Sequence, residues 1–278
     1  MVQCYTRIIP LGLLLTWLTL LGLPAPSLAQ PLLAGQSIRV CNDGAEWPPF
    51  AYFKKDMNGE KSKESAGYSV DYLNTMVTPK HLNFTMDLIP WARCQKWVTQ
   101  GKRYHMLMDA SINPERAANY RITQPYYQIH GLIFYSQKRF PNHPEIHTPK
   151  DLLAFKVCGQ HGYNYTPFGI ENSHVDMATK TFAQLRRRLQ AGRCDILLGF
   201  YEILRGLGQL DPKQLEQANL AWKRPHWVKP TGFHMMVSRN LPYSEELYGV
   251  LEQAITQMKR TGQQQELLDR YLQSPTLP

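Results

Sequence analysis

At 278 residues the chain is long for a single core, so two lobes are expected. Its formal net charge of +9 suits nucleic acid, a membrane surface or an anionic ligand, but the tight basic run Arg186-Arg187-Arg188 falls in a helical pattern and reads as a solvated helix face. The export signal described next disfavours nucleic acid, and no later stretch is long and apolar enough to span a bilayer.

Arg7 precedes an apolar run from Ile8 to Leu23 that is closed by Pro24 and Pro26, and Ser27-Leu28-Ala29 is a small-x-small cleavage site. Residues 1–29 are therefore predicted to be a secretory signal peptide, with the mature chain starting at Gln30. The run is short for a membrane anchor, and no cysteine follows the cleavage site to carry a lipid. Cys4 leaves with the signal, and Cys41, Cys94, Cys158 and Cys194 remain. In an oxidising compartment these suggest two disulfides, with three possible pairings. Zinc ligation is the alternative, but neither a C-x-x-C nor a His pair at ligand spacing is present.

Ser37 to Cys41 is a short β-branched run and reads as the first strand. It empties into the loop Asn42-Asp43-Gly44-Ala45-Glu46-Trp47-Pro48-Pro49-Phe50, whose prolines stiffen it and present Trp47. Lys54 to Ser65 is a hairpin tip with Asn58-Gly59 as its turn. Gly67 to Leu73 starts a helix, with Ser69 as the expected N-cap. Asn83 to Ile89 is a second strand, leading through Trp91-Ala92-Arg93-Cys94 into a helix that ends near Gly101. A strand from His105 to Ala110 follows, and Ile129 to Tyr135 is an apolar strand leaving this unit. The β-α-β-α-β pattern signifies a parallel sheet with helices on its faces.

A Pro/His-rich connector, Pro141 to Pro149, marks a boundary, and the pattern restarts. Lys156-Val157-Cys158 is a strand, Gly159 to Asn164 a glycine loop, Phe182 to Gln190 a helix and Cys194 to Gly199 another strand. Trp222 to Pro230 reads as a second connector, Gly232 to Ser238 as a strand, and Ser244 to Arg260 and Gln263 to Leu272 as closing helices. Residues 30–135 and 232–278 are thus expected in one lobe and 136–231 in the other. Each unit carries one cysteine in its first strand and one beside a later element. Pairing within units, Cys41–Cys94 and Cys158–Cys194, is predicted, because it cross-links each lobe and leaves the crossings free to bend.

The stretch Met108 to Arg116 organises the chain. A strand ends at Ala110, Asn113 suits a helix N-cap, Pro114 the first helical position and Glu115 the positive end of the helix dipole. Ser111, the free backbone N–H groups and Arg116 one turn later are placed to converge on a small anion. Arginine fits a carboxylate because its planar fork donates two parallel charge-assisted hydrogen bonds.

With these motifs in view, the chain resembles the bacterial extracellular solute-binding proteins of family 3, the polar amino acid binding type, over nearly all of its mature length. Trp47-Pro48-Pro49-Phe50 resembles that family's aromatic-Pro-Pro-Phe loop, Gly67-Tyr68-Ser69-Val70-Asp71 its Gly-aromatic-x-x-Asp, and Ser111-Ile112-Asn113-Pro114-Glu115-Arg116 its Ser-Ile-Thr-x-x-Arg. Gln124-Pro125-Tyr126-Tyr127 and Gly192-Arg193-Cys194-Asp195 follow in the family's order. The resemblance implies an α/β fold of the type II periplasmic binding kind: a two-lobed clam-shell with two hinge crossings and one small ligand between the lobes, as expected for ligands beyond the carboxyl ends of strands. It implies that Arg116 clamps a ligand carboxylate with Ser111 beside it, that Trp47 and Trp91 pack on the ligand, and that Gly162, Tyr163 and Asn164 form the second lobe's anion-binding turn. It also implies a periplasmic location, an amino-acid-like ligand and an inner-membrane ABC permease as partner; nothing in the sequence predicts a metal or organic cofactor.

One departure matters. The position where the family places an aspartate for the ligand's amino group is Phe200 here, followed by Tyr201 and Glu202. The ammonium then needs another carboxylate, for which Asp109, Glu202 and Glu46 are the candidates. A binding protein for a small carboxylate-bearing solute is the leading expectation. The alternatives are a dehydratase-like enzyme on the same scaffold, using Glu46, Asp109, His161 and Glu202 for acid–base chemistry, and a solute-sensing subunit for a membrane receptor.

Overall fold

The chain builds two separate sheets, seen in a computed structural model that describes residues 1–3, 33, 35–76, 82–210 and 220–273. All but the first three residues of the predicted signal peptide lie outside the described part. In chain order the elements are β1 (Ser37–Asp43), the hairpin β2 (Tyr52–Lys55) and β3 (Lys61–Ala66), α1 (Tyr68–Thr75), β4 (Asn83–Ile89), α2 (Trp91–Gln100), β5 (Met106–Ala110), α3 (Pro114–Asn119), β6 (Tyr120–Ile122), β7 (Tyr127–Ile129) and β8 (Gly131–Ser136). There follow β9 (Val157–Gln160), β10 (Asp176–Thr179), α4 (Phe182–Gln190), β11 (Ile196–Phe200), α5 (Tyr201–Leu210), β12 (Leu220–Lys223), β13 (Thr231–Ser238) and two closing helices, Ser244–Arg260 and Gln263–Gln273.

The first sheet runs β4-β1-β5-β13-β6, with β7 also on β13; the second runs β10-β9-β11-β8-β12. Parallel pairs occupy one side of each sheet, β1 with β4 and β5 in the first, β9 with β10 and β11 in the second. Antiparallel strands complete both, because β13 and β8 arrive from the opposite direction. The chain leaves the first sheet at His130 and returns through residues 224–230, and the crossings run side by side where Ile129 pairs with Thr231.

Two sequence boundaries shift. The apolar run Ile129 to Tyr135 is not one strand of the first unit: it breaks at His130, and Gly131–Ser136 pairs with β11 of the second sheet. Residues 141–149 consequently link elements of the second unit. Trp222 belongs to β12, paired with Phe134 of β8, so the return connector begins after Lys223. Ser69 is not the N-cap of α1. That position is Gly67, at φ 119°, where a Cβ would lie 2.3 Å from the Phe50 carbonyl oxygen, so only glycine fits.

The closing helix Ser244–Arg260 buries Leu247, Val250, Leu251, Ala254, Ile255 and Met258, one stripe at helical spacing. Glu245 and Glu246 start it and Lys259 and Arg260 end it, as the helix dipole favours. The cysteines pair as Cys41–Cys94 and Cys158–Cys194, closing loops of 53 and 36 residues. Chain entropy assigns each about 4 kcal/mol. Reduction is expected to lower the melting temperature by about 10 °C or more, checked by thermal denaturation with and without dithiothreitol; an unchanged curve would show that neither bond constrains the unfolded chain.

Candidate functional site

β5 ends in a bulge. Three residue steps from Leu107 to Ala110 face two steps from Met236 to His234 on β13. Within the bulge Asp109 sits at φ 59°, a region few side chains other than Asn and Asp adopt. The turn aims its carboxylate inward, where Asn42 Nδ2, Ser69 Oγ at 2.7 Å, Tyr126 OH and Tyr127 OH at 2.8 Å all donate to it. Burial raises the Asp109 pKa, and the hydrogen bonds from Tyr126, Ser69, Asn42 and Tyr127 oppose the rise. Ser69 was therefore taken from the helix cap to serve this carboxylate. The network extends outward, since Tyr127 OH also accepts from Trp47 Nε1 at 3.1 Å and so fixes the indole.

Beyond β5, Asn113 caps α3 by accepting from the Arg116 backbone N–H at 2.8 Å, and Pro114 takes the first helical position, as the sequence indicates. The cap turns the Arg116 side chain back under the loop. Its Nη1 donates to the Ser111 carbonyl at 2.8 Å and its Nη2 to the Gly162 carbonyl at 3.1 Å, while the guanidinium lies 5.6 Å from the Trp91 ring centroid. It is 5% exposed, and burial lowers its pKa to about 10. It stays charged at neutral pH, and its two hydrogen-bond partners among the described residues are carbonyls.

The loop after β9 closes on this arrangement from the other sheet. Gly162 O accepts from Trp91 Nε1 at 3.0 Å as well as from Arg116. Tyr163 OH donates to Asp43 Oδ2 at 2.6 Å, and Asn164 Nδ2 donates to Ser111 Oγ at 3.0 Å and Ile112 O at 2.9 Å. The Trp47 ring meets Tyr163 at 5.4 Å and Phe200 at 5.8 Å, both edge-on. The two sheets are shut over a chamber lined by Asn42, Asp43, Trp47, Trp91, Asp109, Ser111, Arg116, Tyr163, Asn164, Phe200 and Phe233.

Eight of the ten sequence-predicted binding residues thus line one chamber: Trp47, Trp91, Asp109, Ser111, Arg116, Tyr163, Asn164 and Phe200. Gly162 contributes its carbonyl just outside. Glu202 does not join them. It turns to the crossing, accepting from the His130 backbone N–H at 3.0 Å and meeting His130 Nδ1 at 2.7 Å. Glu46 is also elsewhere, engaged by Lys61 Nζ and by the Phe53 backbone N–H at 3.1 Å. His161 is exposed beside a neighbouring groove. Among the described residues no group of three or more His, Cys, Asp or Glu could hold a metal ion.

Asp43, Asn42 and Phe233 line the chamber without having been singled out. Asp43 follows the strand directly, but Asn-Asp-Gly reads as an ordinary turn. Asp43 is 6% exposed, and burial raises its pKa to about 6, against hydrogen bonds from Tyr163 and the Ala45 backbone N–H. A carboxyl with a raised folded-state pKa stabilises the fold fully below its unfolded value near 3.8 and loses that contribution as pH rises through about 6. A cation beside it reverses the sign, because it favours the charged form. The chamber is therefore lined by one buried cation, Arg116, by the carboxyl groups of Asp43 and Asp109, and by the aromatic rings of Trp47, Trp91, Tyr163, Phe200 and Phe233.

Two α/β sheets joined by adjacent crossings, with a chamber lined by residues from both, are the type II periplasmic binding fold. The chain belongs to the bacterial extracellular solute-binding proteins, family 3, whose profile matches residues 38–274. A comparison with curated protein sequences finds no match. Among solved structures it is similar to the arginine-, lysine-, histidine-binding protein ArtJ from the thermophilic bacterium Geobacillus stearothermophilus, at 17% identity and TM-score 0.64, covering 86% of this chain and 96% of that one. A histidine kinase sensor domain with similarity to periplasmic binding proteins matches at 20% identity and TM-score 0.67, covering 85% and 96%. The ancestral amino acid-binding protein AncCDT-1, a precursor of cyclohexadienyl dehydratase, matches at 18% identity and TM-score 0.61, covering 85% and 95%.

Proposed function

We infer that this protein captures a small α-amino acid in the periplasm and presents it to an inner-membrane ABC importer. In this reading the described residues within 35–129 and 231–273 form one lobe and those within 131–223 the other, and ligand capture draws the two together about the paired crossings. The observation that carries it is the buried pair of opposite charges lining one chamber, Arg116 and Asp43, each 6% exposed or less. Arg116 receives the α-carboxylate, with the Ser111 hydroxyl donating beside it. Asp43 receives the α-ammonium, the role left open by Phe200. Asp109 supports the site from behind, its four donors fixing Asn42 and, through Tyr127, Trp47.

An ammonium lowers the Asp43 pKa from about 6, so binding at lower pH must first remove a proton. Affinity is expected to be flat above about pH 6 and to weaken by up to about tenfold per unit between about pH 6 and pH 4. Calorimetric titrations across that range check it, and a pH-independent affinity would remove Asp43 from the ammonium. The reading itself is tested by a thermal-shift screen of the mature protein against amino acids, short carboxylates and polyamines. A ligand at a hundredfold its Kd stabilises by about 2.7 kcal/mol; shifts confined to amino acids support the reading, and shifts only with amine-free carboxylates or only with polyamines overturn it. Uptake by cells carrying the cognate permease, compared with cells lacking this protein, separates import from sensing.

A further inference from the structure

We propose, on the reading just given, that the amino acid this protein selects has an acidic side chain, whose anionic end is met by Arg93 and Lys180 in the groove at the mouth of the cleft. The first support is space. The chamber holds about 30 Å³, room for roughly two or three waters and so for an amino acid's head group without its side chain. A longer side chain has to leave the chamber. Two open grooves adjoin it. One, of about 470 Å³, shares Arg116 and Tyr163 with the chamber. The other, of about 510 Å³, shares Asp43 and Trp91. With the ligand carboxylate on Arg116, the head group stands in the first exit and the side chain takes the second, between Asp43 and Trp91.

The second support is charge. Arg93 from α2 and Lys180 from the segment after β10 line this groove from elements of different sheets, and His161 lines it as a further hydrogen-bonding group. The positive end of the α2 dipole opens onto the same space. Asp43 is the acidic side chain in the lining, and in the reading given above the ligand's own ammonium balances it. Two cations carried by different lobes repel as the cleft shuts, whereas an anion between them is attracted to both and favours closure. The same field opposes a cationic side chain of the kind named for ArtJ.

The test is a calorimetric titration of the mature protein at low ionic strength with L-glutamate, L-glutamine and L-lysine, repeated on an Arg93→Gln/Lys180→Gln double variant. Both positions are exposed, so the variant is expected to keep its fold, checked by its melting temperature. L-Glutamate is expected to bind tightest to the wild type and L-lysine weakest. In the double variant the L-glutamate affinity should fall about fivefold to tenfold, the scale of two exposed ion pairs, with L-glutamine unchanged. L-Glutamine or L-lysine binding as tightly as L-glutamate to the wild type overturns the acidic preference and leaves the amino acid reading standing. A glutamate preference that survives unchanged in the double variant overturns the groove assignment. No binding by any of the three, in a protein that also fails the thermal-shift screen, overturns both.

Discussion

An Arg116→Ala variant is expected to bind its amino acid at least about 100-fold more weakly than the wild type, a loss of about 2.8 kcal/mol. The guanidinium is positioned from its own side of the cleft, by the Ser111 carbonyl at 2.8 Å and the Trp91 ring, and the Gly162 carbonyl joins at 3.1 Å from the other side. Its remaining N–H groups are thereby left for the chamber, so the ligand carboxylate meets a fork that loses little freedom on binding. Burial has already lowered the arginine's pKa to about 10, and a carboxylate would restore the solvation it gave up. Arg116→Lys keeps the charge without the fork and is expected to fall between the two. Calorimetry on variants shown by denaturant unfolding to be folded gives the answer. An unchanged affinity in Arg116→Ala would remove this residue from the carboxylate.

Asp109→Ala is expected to be the most destabilising single change in the site. It deprives four donors, on Asn42, Ser69, Tyr126 and Tyr127, of their common acceptor. Of these residues Asn42, Ser69, Tyr126 and Tyr127 are all at most 2% exposed, so water does not replace the carboxylate. At about 1–3 kcal/mol for each buried group left unsatisfied, less the relief of the carboxylate's own burial, the loss comes to about 4 kcal/mol or more. That is a large part of a typical domain stability of about 5–15 kcal/mol. Asp109→Asn retains one acceptor and tolerates the positive φ, so it should cost about half as much. Urea unfolding of both variants measures the difference. A loss below about 1 kcal/mol in Asp109→Ala would mean that the four donors find other partners and that the network does not hold the site.

The parts of this structure legible in the sequence are those set by near neighbours. Asn113-Pro114-Glu115 announces the start of α3 because cap, first-turn proline and dipole partner all act within four residues, and Asn58-Gly59 marks its hairpin turn for the same reason. The disulfide pairing followed from placing one cysteine in each first strand. What the sequence hid depends on distant partners. Ile129 to Tyr135 looks like one apolar strand, and only Glu202, 72 residues away, makes His130 a break by taking its backbone N–H and its ring. Glu202 itself looked like a ligand carboxylate because it follows Phe200, but helix α5 carries it to the crossing. Asp43 looked like a turn residue until Tyr163, 120 residues on, donated to it, and until burial raised its pKa against that hydrogen bond. Ser69 had the chemistry of a cap, and the buried Asp109 claimed it.

The measurement that tests the account most directly is a titration near neutral pH with one strongly binding amino acid, its α-amide and its analogue lacking the α-amine. If Arg116 and Asp43 hold the two ends of a zwitterion, each altered compound should lose about 100-fold or more in affinity, the amide at the Arg116 end and the amine-free analogue at the Asp43 end. Either compound binding as tightly as the parent amino acid would contradict the assignment of that end of the chamber.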